Sequence, residues 1–130
     1  MSKVVECSII IKDDFNNIFI VKRKTKRNQP KYWYTVGKKI KGRETEEKCI
    51  ARAIKDDLRS IVFNLKKVGE IENKELEGVT SLYIGELKEK IVLGKDIEEG
   101  KWIKIDDIDN YEFAENEIEK ILVIKESIVK

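Results

Sequence analysis

From Thr45 onward the apolar residues change their period, and that change constrains the fold more than any other feature of the chain. Cys49, Ile50, Ala53, Ile54, Leu58 and Ile61 fall at three- and four-residue steps, the spacing of one face of an α-helix. Thr45 or Glu44 stands where such a helix would start. Glu46 and Glu47 then lie in its first turn, where they complement the macrodipole, and Arg59 lies near its end.

On either side of this stretch the pattern is that of strands. Val4 to Ile11 is rich in β-branched residues, Ile18 to Val21 alternates into Lys22-Arg23-Lys24, and Asp13-Asp14-Phe15-Asn16-Asn17 between them has turn chemistry, which predicts a hairpin. Pro30 and Asn28 mark a loop before a short extended piece, Tyr32 to Val36, ended by Gly37. After the helix, Ile61 to Ile71 and Val79 to Leu87 read as longer strands, and Ile91 to Leu93 and Trp102 to Ile105 as short ones. Asp106-Asp107 opens a turn or short helix. Ala114 to Val129 carries Ile118, Ile121, Leu122, Ile124 and Ile128 at helical spacing. The order β-β-β-α-β-β-β-α predicts an α/β fold, and 130 residues with 41% apolar content fit one domain over 1–130.

Several classes of function are excluded by composition. With no histidine and only Cys7 and Cys49, the chain has no His-based dyad or triad, no zinc site needing His or four Cys, and no framework of several disulfides. Both cysteines are expected to be buried structural thiols. No apolar run approaches the roughly 20 residues of a membrane helix, and the N-terminus lacks a secretory h-region, so a cytoplasmic protein is expected. Chemistry therefore rests on carboxylates, lysines, hydroxyls or a metal.

The net charge of +2 conceals a segregation. Residues 22–43 hold ten of the 27 basic residues and none of the 25 acidic ones, so this segment carries +10 and the remainder, 17 basic against 25 acidic, carries −8. Such polarisation suits a polyanionic partner, a nucleotide or a nucleic acid. Tyr32, Trp33 and Tyr34 interleave with the charge, and Trp33 is a candidate for stacking on a base, although a large strand aromatic more often packs in a core.

Next to the basic loop, Glu44 precedes a helix bearing Arg52, Asp56 and Asp57, residues one turn apart or adjacent and able to share one side. Carboxylates gathered beside lysines suit magnesium-assisted attack on a phosphate. Here the sequence resembles the Nudix hydrolases, whose signature reads G-x5-E-x7-R-E-U-x-E-E-x-G-U with U aliphatic. Laid on this chain, the signature's first glycine falls on Lys38, directly after Gly37, and its first glutamate on Glu44. Its arginine falls on Arg52, the next glutamate on Ala53, the aliphatic on Ile54, the glutamate pair on Asp56 and Asp57, and the last glycine and aliphatic on Arg59 and Ser60. Trp33 ahead of the glycine turn, the strand order, and Lys101-Trp102-Ile103-Lys104 followed by an acidic turn extend the resemblance over nearly the whole chain.

The resemblance implies an α/β/α sandwich with a mixed β-sheet, holding Mg²⁺ or Mn²⁺ against the diphosphate of a nucleoside diphosphate derivative while water splits it. Asp56 and Asp57 would be metal ligands and Arg52 would orient them. Glu44 would help the metal or Arg52. A general base would come from outside the signature, from Glu98, Glu99, Glu112 or Glu115, and Glu115 joins Glu44 and Arg52 as the expected catalytic set. Lys22, Arg23, Lys38 and Lys39 are the expected phosphate-binding residues. Dimers are common in such proteins, so a homodimer is a further expectation by analogy.

The departures from the signature predict a weakly held metal. Ala53 removes a ligand and sits in the apolar set. Asp56 and Asp57 are each a methylene short for an ion that tolerates poor geometry badly. Lys38 would cost about 1 kcal/mol if a positive φ is required there. Two readings follow: a divergent diphosphate hydrolase, or a nucleotide- or RNA-binding module that has lost efficient catalysis.

Overall fold

The computed structural model describes residues 3–129, so residues 1, 2 and 130 of the expected domain lie outside the described residues. Strands β1 (Val4–Lys12) and β2 (Asn17–Arg23) form the expected hairpin. Its turn is closed by Asp13, whose Oδ1 accepts from the backbone N–H of Phe15 and Asn17 at 2.9 Å each. The extended piece expected over Tyr32 to Val36 divides in two. Trp33–Tyr34 (β3) pairs with β2, whereas Val36–Lys39 (β4) runs through Gly37 and pairs with β1.

Helix α1 spans Glu46–Leu58, capped by the Thr45 side chain accepting from Lys48 N–H at 3.2 Å. It stops short of Ile61 because Arg59 adopts a left-handed backbone (φ 47°) and turns its N–H back to the Lys55 carbonyl. That is the position where the signature has glycine. Lys38, by contrast, does not have a positive φ; it lies in β4, and Gly42 takes the left-handed turn (φ 58°), so the strain expected at Lys38 is not there.

Strands β5 (Val62–Asn73), β6 (Gly78–Leu87) and β7 (Ile97–Lys104), a 3-10 turn (Ile105–Asn110) and helix α2 (Glu117–Val129) complete the chain. Ile91 to Leu93 is not a strand. Its backbone is committed to the end of α1, with Val92 N–H on the Leu58 carbonyl at 2.9 Å and Gly94 N–H on the Asp57 carbonyl at 2.8 Å. These bonds satisfy carbonyls that a helix C-terminus leaves without partners. The last strand accordingly begins at Ile97 rather than Trp102.

Seven strands make one mixed sheet, in the order β3-β2-β1-β6-β5 with β4 on β1 and β7 on β2; β1 and β6 run parallel and the other pairs antiparallel. The isoleucines of β1 alternate between the two faces. Ile9 and Ile11 join Cys7, Val21 and Val36 against Cys49, Ile50, Ala53, Ile54 and Leu58 of α1. Ile10 joins Ile18, Ile20, Trp33, Leu82 and Ile103 against Ile121 and Ile124 of α2. The result is the expected sandwich with a helix on each face. Among the described residues no helix is long and apolar enough to cross a membrane.

The thiols are buried, as expected. Cys7 and Cys49 share the core between β1 and α1, where the neighbouring Cys49, with burial second, pushes the Cys7 thiol well above its ordinary pKa.

Candidate functional site

Strand β2 delivers Arg23 to the end of α1. The pairing of β2 with β7 slips between Lys22 and Arg23, and the two side chains part. Arg23 lays its guanidinium over Tyr34 at 5.9 Å and bonds Asp57 Oδ2 through Nη2 at 2.9 Å. Lys22 goes to the other core, its Nζ 4.7 Å from the centroid of the Trp33 ring. Strand alternation thus separates two residues expected to bind phosphate together.

Glu44, in the turn leading into α1, and Arg52, Asp56 and Asp57 of the helix are each held in an ion pair. Asp57 is sealed, its side chain 2% exposed beneath Arg23. Asp56 is 51% exposed and lies 3.6 Å from Lys38 Nζ. Glu44 takes Arg52 on both oxygens, Nε to Oε2 at 2.8 Å and Nη2 to Oε1 at 2.9 Å, while Arg52 Nη2 also bonds the Lys39 carbonyl. Ala53 is fully buried in the α1 core and offers nothing to this side. Both aspartates therefore face the basic segment. Lys39 holds Arg52 only through its backbone carbonyl, and its side chain is exposed.

The Arg52 fork is the first cause of a depressed Glu44 pKa, down to about 2. A depressed carboxylate contributes stability above its unfolded pKa near 4.5 and loses it as pH falls through the folded value. Wild-type protein should therefore lose melting temperature on acidification between pH 4.5 and 2 more steeply than Glu44→Gln. Parallel melting profiles would show that the pair contributes nothing.

Arg23 and Tyr34 also line a pocket of about 280 Å³ that extends to α2, together with Glu6, Ser8, Thr35, Gly37, Thr80, Asn116, Glu117 and Lys120. Its floor is a hydrogen-bonded network. Thr35 donates through N–H and Oγ1 to Glu117 Oε1 at 2.8 and 2.9 Å, and Lys120 Nζ holds Glu117 Oε2 at 2.6 Å and Glu6 Oε1 at 3.4 Å. Thr80 Oγ1 adds a donor to Glu6 at 2.9 Å. None of Glu6, Thr35, Glu117 or Lys120 was singled out by sequence. The available signal was that Glu117 and Lys120 share a helix face with Ile121 and Ile124, an arrangement that buries charge where a core side chain is expected.

Of the other expected site residues, Glu115 sits exposed on the rim of this pocket, away from the Glu44–Arg52 fork. Glu98 is held by Lys31 at 2.6 Å. Trp33 is 7% exposed, wedged edge-on against Tyr111 beneath Lys22, and has no open face on which a base could stack.

No family model and no curated protein sequence matches the chain. Solved structures do. A MutT Nudix hydrolase from Burkholderia pseudomallei superposes with a TM-score of 0.78 at 18% identity, over 93% of this chain and 97% of that one. MutT from a study of Aliivibrio salmonicida and Vibrio cholerae gives 0.74 at 22% identity over 95% and 98%. The Nudix domain of Shewanella oneidensis NrtR, in complex with ADP-ribose, gives 0.74 at 15% identity over 98% and 90%.

The chain has a Nudix fold. Within it, the donor set does not fit a divalent cation. Mg²⁺ needs hard oxygen ligands at close to octahedral geometry, yet Asp57 is spent on Arg23, Asp56 lies by Lys38 and Glu44 is clasped by Arg52. Among the described residues, no three acidic or thiol side chains gather into a metal-holding group. A cation entering this Nudix fold would have to evict a guanidinium from a sealed carboxylate.

Proposed function

We propose that this Nudix-fold protein binds a nucleoside diphosphate derivative, with the diphosphate against Arg23 and Lys38 and the nucleoside in the pocket beside α2. The observation that carries the reading is Arg23. It lines a polar pocket with its side chain 28% exposed, and a guanidinium presents several N–H donors in a fork that matches phosphate oxygens. The pocket floor offers both acceptors, on Glu6 and Glu117, and a donor on Lys120, which suits the mixed hydrogen-bonding edge of a base or the hydroxyls of a ribose. The ADP-ribose held by the Shewanella oneidensis structural neighbour is a ligand of this class.

A small nucleotide suits the site better than a nucleic acid. Arg23, Lys31 and Lys38, three of the ten basic residues of the 22–43 segment, already pair with acids of the chain, which weakens the stripe as a track for a long polyanion. Metal-dependent hydrolysis of the same ligand is the second reading. The Burkholderia pseudomallei neighbour, named as a MutT Nudix hydrolase, favours it.

Calorimetric titration with ADP-ribose, ADP and adenosine, with product release followed in parallel, tests both. Binding of ADP-ribose and ADP well above that of adenosine is expected, because the diphosphate contributes charge-assisted bonds. Turnover abolished by Asp57→Asn would select the hydrolase. Binding without turnover would select the binding module, and no binding of any of the three would remove both.

A further inference from the structure

The disagreement between the helix acids and a divalent cation has a chemical content of its own. Around the α1 end of the site each acid is matched by a cation of the chain: Asp57 with Arg23 at 2.9 Å, Asp56 with Lys38 at 3.6 Å, Glu44 with Arg52 at 2.8 Å. The Asp57 pair is the most committed. A buried carboxylate is costly without a partner, and Arg23 reaches it from another element, 34 residues away in sequence. Only one guanidinium nitrogen of Arg23 is engaged there, and the side chain is 28% exposed and lines the pocket. A guanidinium has five N–H donors, so most remain free for an anion.

We propose that Arg23 is a built-in substitute for the divalent cation, neutralising Asp57 on one side and taking the diphosphate on the other, so that the site binds its ligand without metal. Lys38 serves Asp56 in the same way, its ammonium 3.6 Å from the carboxylate. The inference rests on the nucleotide-binding reading, but its consequence for metal does not need a nucleotide. While Arg23 is in place a cation is repelled from Asp57; once Arg23 is removed, Asp57 becomes a sealed carboxylate without a partner, adjacent to Asp56, and gains affinity for any hard cation.

Two titrations test this, both on the full chain. In the first, free Mn²⁺ is followed by its paramagnetic resonance signal, without nucleotide, against wild type, Arg23→Gln, and Arg23→Gln with Asp57→Asn. Glutamine keeps a polar side chain at position 23 but ends short of Asp57, which Arg23 reaches only with Nη2, and circular dichroism melts confirm that each variant is folded. Arg23→Gln is expected to bind Mn²⁺ about tenfold more tightly than wild type, a difference of about 1.4 kcal/mol, and Asp57→Asn is expected to reverse the gain. A gain below about threefold, roughly half that free energy, overturns the proposal, as does a gain that survives Asp57→Asn.

In the second titration, wild type meets ADP in EDTA and in Mg²⁺. Affinities within about threefold of each other support the substitution, and a larger tightening by Mg²⁺ overturns it. If ADP binds in neither buffer, the nucleotide reading fails by itself and the Mn²⁺ comparison still decides whether Arg23 excludes metal from Asp57.

Discussion

Replacing Lys120 by methionine is expected to lower stability by about 3 kcal/mol, because it leaves the nearly buried Glu117, and the partly exposed Glu6 beside it, without their cation. Lys120 Nζ lies 2.6 Å from Glu117 and 3.4 Å from Glu6, and the Lys120 and Glu117 side chains are 10% and 6% exposed. Removing one partner of a buried pair forfeits the pairing while the desolvation of the surviving charge remains, which is why such losses exceed those of surface ion pairs. Methionine preserves the stem that packs beside Ile121 and Ile124, so the loss reports charge rather than volume. In a domain of this size the melting temperature should fall by about 10 °C. The cycle is completed by Glu117→Gln and the double variant, measured by urea denaturation. The double variant should recover about half the loss, the signature of direct coupling. A Lys120→Met protein within about 0.5 kcal/mol of wild type, as for an ordinary surface change, would mean that the network is solvated and that the pocket floor is not pre-organised.

The second large effect is expected at Gly94. Its N–H bonds the Asp57 carbonyl at 2.8 Å, and a Cβ at this position would stand 2.0 Å from the Asp56 carbonyl oxygen and 3.1 Å from its carbon. The clash is with backbone at the last turn of a helix, not with a side chain that could swing away. Gly94→Ala must therefore lift the segment between β6 and β7 off α1, breaking the bonds that Gly94 and Val92 make to the carbonyls of Asp57 and Leu58. A cost of about 3 kcal/mol or more is expected, at the upper end of overpacking changes. Because Asp57 sits on the displaced turn, the variant should also lose ADP affinity out of proportion to its stability. Thermal melts and ADP titration of the folded fraction measure both. An alanine variant that melts with wild type would show that the segment docks loosely.

How far the sequence foretold this structure varies by element, and the reasons are physical. Helix α1 was readable because Cys49, Ile50, Ala53, Ile54 and Leu58 all meet one apolar sheet face, so burial and period agree. Helix α2 was readable as a helix but not in its facing. Ile118 and Leu122 look outward, while Glu117 and Lys120 look inward beside Ile121 and Ile124. A buried network inverts the usual link between polarity and exposure, and no period of apolar residues encodes it. Ile91 to Leu93 has strand composition, but its N–H groups are claimed by the end of α1, a tertiary commitment that propensity does not carry.

The candidate site was legible to a similar degree. Glu44, Arg52, Asp56 and Asp57 stand together near the basic segment because all four belong to one helix and the turn leading into it. Their partners were not legible. Arg23 meets Asp57 only because β2 ends beside the last turns of α1, and Lys22 is turned away by strand alternation. The pocket floor draws on positions 6, 35, 80, 117 and 120, which converge through the parallel pairing of β1 with β6 and the packing of α2 over them. Such convergence is a property of the topology and leaves no local spacing to read.

The most direct test is an amide and guanidinium NMR titration of the isotopically labelled protein with ADP in EDTA. Saturable shifts are expected at Arg23 Nε and at the amides of Thr35, Gly37 and Asn116, with the Arg23 side-chain signal displaced most. Shifts confined to residues 24–31, or an Arg23 signal unmoved at saturation, would contradict ligand binding at Arg23.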